Sequence, residues 1–484
     1  MSVTQPEARD RHSPLRASDA FAALPPPWTD GDLRLDIRRC LEASGTAVVV
    51  VDDDPTGTQT VHDVPVLTTW GPAELGRELA AGTSVFYVLT NSRALPVQRA
   101  VALGRELGTN LRAASQQTGR RLEVISRSDS TLRGHYPAET DALAEGLQFE
   151  PDGLLIAPYF REGGRFTLDD VHYVLQRDTL VPAAQTDFAR DPAFGYAHSN
   201  LRHWVEEKTG GRWPADQVAS ISLDAIRRRG PEGVLPQLLA LKGGQPSIVN
   251  AADDRDLEVV VLALAEAENR GRRYLCRTAA SFAKVRGGIT DRPLLQPAEV
   301  RSRSTDARGG LVVVGSYVSQ TTRQLERLLI EPGWVSVQLD VPTVLDPAQR
   351  RACLEKAAAS LANALSNDAN VVLFTSREHV GGGNRTEALA VGRSISTALV
   401  ELVRGLPVRP RFLIAKGGIT ASDLATDALA VRRALVLGQI AHGVPVWSLG
   451  QESKFPGLAY VVFPGNVGTD DTLAEVARSL SQGQ

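Results

Sequence analysis

Four consecutive valines, Val48-Val49-Val50-Val51, run straight into three aspartates, Asp52-Asp53-Asp54. A β-branched run that is apolar at every position, not at alternate ones, describes a strand covered on both faces. Such strands belong to parallel sheets whose crossover helices supply the cover. The pattern recurs at residues 84–89, 122–125, 154–156 and 247–249, with helix-periodic stretches such as 33–42 and 97–114 nearby. The expected fold class is therefore α/β, a mostly parallel sheet covered by helices. A second series begins at 311, with strands at 311–314, 335–339, 371–374 and 412–415. Helices fall between them at 321–329, 348–365 and 386–402; a helix at 422–429, strands near Val446 and Val461 and a helix at 472–480 complete it.

The chain of 484 residues exceeds the ~100–200 of one domain. The polar Arg/Ser/Gly run at 301–310 is the natural break. The expected organisation is a disordered leader at 1–36, a first α/β domain at 37–300, a linker at 301–310 and a second α/β domain at 311–484. Residues 158–210, rich in Gly, Pro, Asp and aromatics, read as long loops with short elements. A net charge of -3 argues against nucleic-acid and membrane-surface partners. No apolar run approaches the ~20 residues of a membrane-spanning helix. Cys40, Cys276 and Cys353 have neither metal-ligand nor disulfide spacing, and the polar N-terminus lacks a signal-peptide core, so a cytoplasmic protein is expected. His62, His135, His172 and His379 form no metal motif and read as structural.

Chemistry concentrates where the strands end. In an open parallel sheet that edge is where ligands bind. Asp52-Asp53-Asp54 leads into Pro55-Thr56-Gly57, placing carboxylates, a hydroxyl and a turn together. A solvated acidic turn would need no hydroxyl there. Asp52-x-Asp54-x-Thr56 also has the form used by Asp-nucleophile phosphatases, for which Thr375 or Ser376, with Lys416, would have to serve as the further members; Asp423 and Asp427 fall within a helix rather than in the final acidic pair that chemistry needs. Ser126-Arg127-Ser128-Asp129-Ser130-Thr131-Leu132-Arg133 follows another strand and combines guanidiniums suited to a carboxylate with groups suited to a polyol. Helix capping by Ser128 or Asp129 is compatible with this use. Asn91-Ser92-Arg93 adds a third polar cluster at the same edge.

The second series carries three small-residue turns after strands: Gly315-Ser316 with Ser319, Lys416-Gly417-Gly418-Ile419-Thr420, and Pro464-Gly465-Asn466-Val467-Gly468. Backbone N–H groups at such turns suit phosphate. Neither GxxxxGK[ST] nor GxGxxG occurs, so neither common nucleotide fingerprint applies. The Gly-rich stretch 380–386 is either a lid or a linker.

Taken together, these motifs resemble the four-carbon acid sugar kinase family from about residue 48 to about 468. Asp53-Asp54-Pro55-Thr56-Gly57, Ser92-Arg93, Asp129-Ser130-Thr131-Leu132-Arg133-Gly134 and the three turns carry the resemblance. Departures are Thr60, Arg127 and Ile419, where the family usually has Asp, Lys and an acidic residue. The resemblance implies a first domain that binds the sugar acid, a second that binds ATP with Mg²⁺, and an active site in the cleft between them. It implies Asp53 or Asp54 at the acceptor hydroxyl, and Arg93, Arg127 and Arg133 at the substrate carboxylate. Ser128, Asp129, Ser130 and Thr131 would lie around the substrate hydroxyls. Ser316, Ser319, Gly417, Gly418, Ile419, Thr420, Gly465 and Asn466 would hold the nucleotide. No Mg²⁺ ligands are assigned. A homodimer is the general expectation for such an enzyme. The phosphatase, and a sugar-acid sensor without catalysis, are the alternative readings.

Overall fold

A computed structural model describes residues 12–300, 304, 306–377 and 385–482, with only the backbone at 385–390. It divides into two compact units, Met1–Gly57 with Trp70–Asp291, and Thr58–Thr69 with Arg292–Gln484. The division differs from the contiguous domains expected above. Residues 58–69 leave the first series and join the second, where Val64–Leu67 pairs antiparallel with Arg433–Ala441. Part of the expected linker is likewise built into the second unit: Gly309 N–H donates to Asp368 and Gly310 N–H to Asn370 Oδ1, each at 2.7 Å.

The parallel sheet of the first unit runs Ala219–Ile221, Gln245–Val249, Gly153–Ala157, Tyr274–Thr278, Leu122–Arg127, Ala47–Asp52, Val85–Leu89. The valines of Ala47–Asp52 are all buried, as a strand covered on both faces requires. Val97–Thr118 packs closely on Ala138–Leu147 because glycines form the contact. A Cβ at Gly108 would lie 2.6 Å from the Leu143 carbonyl, and one at Gly146 2.2 Å from that of Arg105.

Residues 158–210 contain more structure than the loops expected. Arg165–Leu168, Val171–Gln176 and Thr179–Pro182 form antiparallel hairpins. The first turns through Asp169 and Asp170, both at positive φ, the backbone a two-residue hairpin needs. The leader is not disordered from residue 12 onward. Leu15–Arg16 pairs with Leu180 and Thr179, the Phe21 ring meets Phe166 edge-on at 4.9 Å, and Arg255 donates to the carbonyls of Trp28, Asp30 and Gly31. Its anchors are Arg and aromatic groups more than a hundred residues away, which local sequence does not display. Residues 1–11, the His379 reading and most of the Gly-rich stretch 380–386 lie outside the described residues.

The second unit orders its strands Val64–Leu67, Arg433–Ala441, Val444–Leu449, Ala459–Phe463, Phe412–Lys416, Leu311–Val314, Asn370–Thr375, Trp334–Leu339. From Ala459–Phe463 onward the pairing is parallel; before it, antiparallel. The helix expected at 422–429 begins earlier, as Gly418–Asp423, and widens into a π turn at Leu424–Ala428. No described helix is long and apolar enough to cross a membrane.

Candidate active site

In the first unit Asp52 pairs across the sheet with Leu89 on one side and Arg127 on the other, and Arg127 with Thr278. Parallel register therefore delivers the turns after 52, 89, 127 and 278 to one edge. Arg93 stands at the centre. Its Nε donates to Asp53 Oδ2 at 3.2 Å, its Nη2 to Asp53 Oδ1 at 2.5 Å, and its Nη1 to Asp54 Oδ2 at 3.2 Å. Ser128 Oγ donates to Asp53 Oδ2 at 2.7 Å. Arg133 Nε donates to Asp129 Oδ2 at 2.7 Å, and the Thr131 hydroxyl donates to the same oxygen. Arg133 also comes within 3.7 Å of Asp191.

Alternating charge makes the cluster stable. Burial would raise Asp129, but Arg93 and Arg133 outweigh it and hold the carboxyl well below its usual range. Burial also opposes the ionised form of Asp54, and Arg93, Arg127 and the Thr56 hydroxyl overcome it. Glu139, which accepts from the Ser92 hydroxyl, is pushed up to about 7 by burial and the Asp53 charge. The backbone is shaped to fit: Gly134 has φ +120°, and a Cβ there would meet Ser128 Oγ at 2.7 Å and Asp53 Oδ2 at 3.2 Å.

Two sequence readings change. Arg127 has a side chain only 5% exposed; it donates to Asp52 Oδ1 at 3.0 Å and lies 3.9 Å from Asp53. It braces Asp52 and Asp53, and its Nε is buried without a partner. Asp52 is 1% exposed, with Oδ2 unpartnered and pressed towards Gly57. Burial pushes its carboxyl up to about 7 against the pull of Arg127. A carboxyl sealed in this way, with one oxygen held by Arg127 and the other pressed against the turn, is unsuited to nucleophilic attack, which counts against the phosphatase reading. Asp423 lies within the helix Gly418–Asp423, as expected, and accepts from the Ser396 hydroxyl. Ser130 is buried, and its carbonyl meets His172 Nε2 at 2.7 Å; burial lowers that histidine to about 4.

Sequence reasoning missed Arg165 and Arg277. Arg277 Nη2 donates to Ser128 Oγ at 3.3 Å and to the Arg133 carbonyl at 3.1 Å, its guanidinium lying over Tyr136 and Trp204. Arg165 and Arg133 both sit 5.3 Å from the Phe188 ring, and Arg165 Nε is buried without a partner. Arg165 lies within the stretch 158–210 that reads as loops; Arg277, inside an apolar strand, gives no signal beyond being a charge in such a strand.

In the second unit Val314 pairs with Lys416 and Lys416 with Phe463, so the three small-residue turns leave one sheet edge together. Thr321 Oγ1 donates to the Gly465 carbonyl at 2.8 Å and to Ser316 Oγ at 3.3 Å. A Cβ at Gly315 would lie 2.4 Å from Thr420 Oγ1, one at Gly417 2.8 Å from Ser316 Cβ, and one at Gly465 3.2 Å from Ser316 Oγ. Ser316, Gly417, Gly418, Thr420 and Gly465 thus converge. Ser319, Ile419 and Asn466 point out from this group as exposed residues, Ile419 being 60% exposed. Lys416 is buried with no acidic partner among the described residues; its Nζ donates to the carbonyls of Pro464 and Gly465 at 2.5 and 3.2 Å, and burial lowers it to about 7. Arg377, also missed, donates to the Ser316 carbonyl and Thr322 Oγ1, both at 2.7 Å, while its Nε and Nη1 remain unpartnered.

Among the described residues no group of three or more His, Cys, Asp or Glu could hold a metal. Asp53, Asp54 and Asp129 are each committed to arginines, so among the described residues no set of Mg²⁺ ligands stands ready.

Residues 48–286 match the family model of a sugar-binding N-terminal domain, and residues 311–473 that of a nucleotide-binding C-terminal domain. A sugar-binding unit joined to a nucleotide-binding unit defines a class of small-molecule kinase. Within that class, the chain belongs to the four-carbon acid sugar kinase family, and it is a kinase. It is 29% identical over 425 residues to the 3-oxo-tetronate kinase of Methylobacterium radiotolerans, covering 83% of this chain and 92% of that one. It is 25% identical over 414 residues to the D-erythronate kinase of Heliobacterium modesticaldum, covering 82% and 81%. A solved Haemophilus influenzae protein shares the fold, with a TM-score of 0.60 at 18% identity over 90% of this chain and all of that one.

Proposed function

We propose that this enzyme transfers the γ-phosphoryl of ATP to a hydroxyl of a four-carbon sugar acid such as 3-oxo-tetronate, erythronate or threonate. The observation that carries the reading is the Asp53–Arg93–Asp54 network beside Asp129 and Arg133, at the strand ends of the unit that matches a sugar-binding domain. Asp54, whose side chain is 23% exposed against 3% for Asp53, orients the acceptor hydroxyl and takes its proton. Asp53 positions Arg93. Arg133 and Arg165 meet the substrate carboxylate in place of the occluded Arg127, and Asp129 accepts from its hydroxyls. In the second unit the turns around Ser316, Gly417 and Gly465 cradle the nucleotide phosphates, with the two spare nitrogens of Arg377 turned to the same task. Any Mg²⁺ arrives with the nucleotide, held by phosphate and water.

The test is ADP release with MgATP against D- and L-threonate, D- and L-erythronate and the 3-oxo-tetronates. ADP that depends on one of these acids is the expected result. If no acid on the panel elicits ADP, the four-carbon assignment fails; if ATP also leaves the melting temperature unmoved, the nucleotide site fails with it.

A further inference from the structure

The first unit has a second basic site, at the edge of its sheet opposite the candidate active site. A cavity of about 420 Å³ opens where Leu122–Arg127 and Tyr274–Thr278 begin. The same two strands end at Arg127 and Thr278, so the cavity stands about 17 Å from the aspartate cluster along Leu122–Arg127. Its lining holds Arg112, Arg121, Arg272 and Arg273, with Glu123 and Glu268 as its acids.

The acids are already used. Arg286, buried beside the cavity, donates to both Glu123 and Glu268. Burial, with Glu123 adding to it, raises the Glu268 carboxyl against the pull of Arg286 and Arg121. Arg272 is neutralised by Asp152 at 2.7 Å. Arg112, Arg121 and Arg273 have no carboxylate within ion-pair distance among the described residues. Arg112 donates one Nη1 bond, to Gln148 Oε1 at 2.8 Å, and its Nε is buried with no partner. Arg273 lies over the Phe149 ring, its guanidinium carbon 4.2 Å from the ring centre. Leu122, Val124, Leu147 and Leu275 complete an apolar wall.

Three guanidiniums with no carboxylate at ion-pair distance, one of them with a buried unpartnered Nε, converge on an apolar-walled cavity and favour the entry of something negative. Arginine's fork suits phosphate or carboxylate, and an apolar wall beside an aromatic ring suits the body that carries it. We infer that this cavity is a second ligand site, which takes a small organic anion bearing a phosphate or carboxylate on an apolar or planar body. The inference is independent of the sugar-acid assignment, and its test needs no turnover.

Phenyl phosphate, benzoate and inorganic phosphate serve as probes, titrated into the full chain by calorimetry at constant ionic strength. Phenyl phosphate and benzoate report which anionic head is preferred; inorganic phosphate reports what the apolar wall adds. Saturable binding of at least one of the two aromatic anions, tighter than that of inorganic phosphate, is expected. Arg93→Ala, in the candidate active site, should leave it unchanged. Arg121→Ala with Arg273→Ala should weaken it by about tenfold or more, from the loss of two charge-assisted contacts. Because both arginines are exposed, the double variant should fold; Arg121→Lys with Arg273→Lys keeps the charge and should recover part of the affinity. Absence of saturable binding at millimolar probe, or binding lost in Arg93→Ala but intact in the double alanine variant, would overturn the inference.

Discussion

Replacing Gly57 with alanine would place a methyl group 1.8 Å from Asp52 Oδ2 and 2.4 Å from both Cγ and Oδ1 of that carboxylate. Ordinary contact begins near 3.4 Å, so about 1.6 Å of separation must open. Asp52 cannot supply it: it ends a buried strand and is pinned by Arg127 at 3.0 Å. The movement must come from the turn Pro55–Thr60, which begins beside Asp54 and contains Thr56. Thr56 donates both its N–H, at 2.8 Å, and its hydroxyl, at 2.5 Å, to Asp54 Oδ1. The carboxylate proposed to face the acceptor hydroxyl therefore shifts with the turn. Overpacking of this kind costs about 1–3 kcal/mol. A misplacement of about 1 Å in a reacting group costs about 100-fold in rate. The expected result is a kcat lowered about 100-fold or more, with a melting temperature lowered by several degrees. The assays are coupled ADP release with MgATP and the preferred sugar acid, and differential scanning calorimetry. Gly76→Ala is the control: nothing lies within 4 Å of a Cβ there and the residue is inside a helix, so activity should hold and stability should rise slightly. Wild-type turnover and melting in Gly57→Ala would refute the packing of Asp52 behind the turn.

Asp54→Asn should lower kcat by about 10²–10⁴-fold while changing the KM of the sugar acid little, a split that initial-rate kinetics would show; an unchanged kcat removes Asp54 as the base. Arg127→Ala and Arg133→Ala should behave oppositely. The first breaks a buried ion pair and should cost about 3–5 kcal/mol in urea denaturation; the second, 28% exposed at the side chain, should mainly raise KM. Lys416→Met tests the buried cation. Its folded value near 7 lies below the ordinary 10.5, so the folded state binds fewer protons than the unfolded one between those values. Wild-type stability should accordingly rise relative to Lys416→Met from about pH 7 to about pH 10; parallel pH–stability curves would show that Lys416 is not held in a desolvated site.

Much of the molecule could be read from the chain alone. Runs such as Val48–Val51 state that both faces of a strand are covered, because no polar position interrupts them. The residues that follow each run then share a sheet edge as a consequence of parallel pairing. That logic puts the turns bearing Asp53, Asp54, Arg93, Asp129 and Arg133 at one sheet edge, and those bearing Ser316, Gly417 and Gly465 at one edge of the second unit, as the register does. Antiparallel elements were harder. Arg433–Ala441 alternates buried and part-exposed or exposed positions and was not recognised as a strand, and Val64–Leu67 was not seen to cross into the second unit.

Tertiary structure decided which charges remain available. Arg93, Arg127 and Arg133 look equivalent in sequence, yet one bridges two aspartates, one is sealed under Asp52, and one stays open at the rim. Arg165, Arg277 and Arg377 join the candidate sites from distant segments, and the leader docks on arginines and an aromatic from the middle of the chain. Local pattern reports the period of burial along a segment, which depends on neighbours in sequence. Pairing, desolvation and orphaned hydrogen-bonding atoms depend on neighbours in space, and only the packed chain sets them.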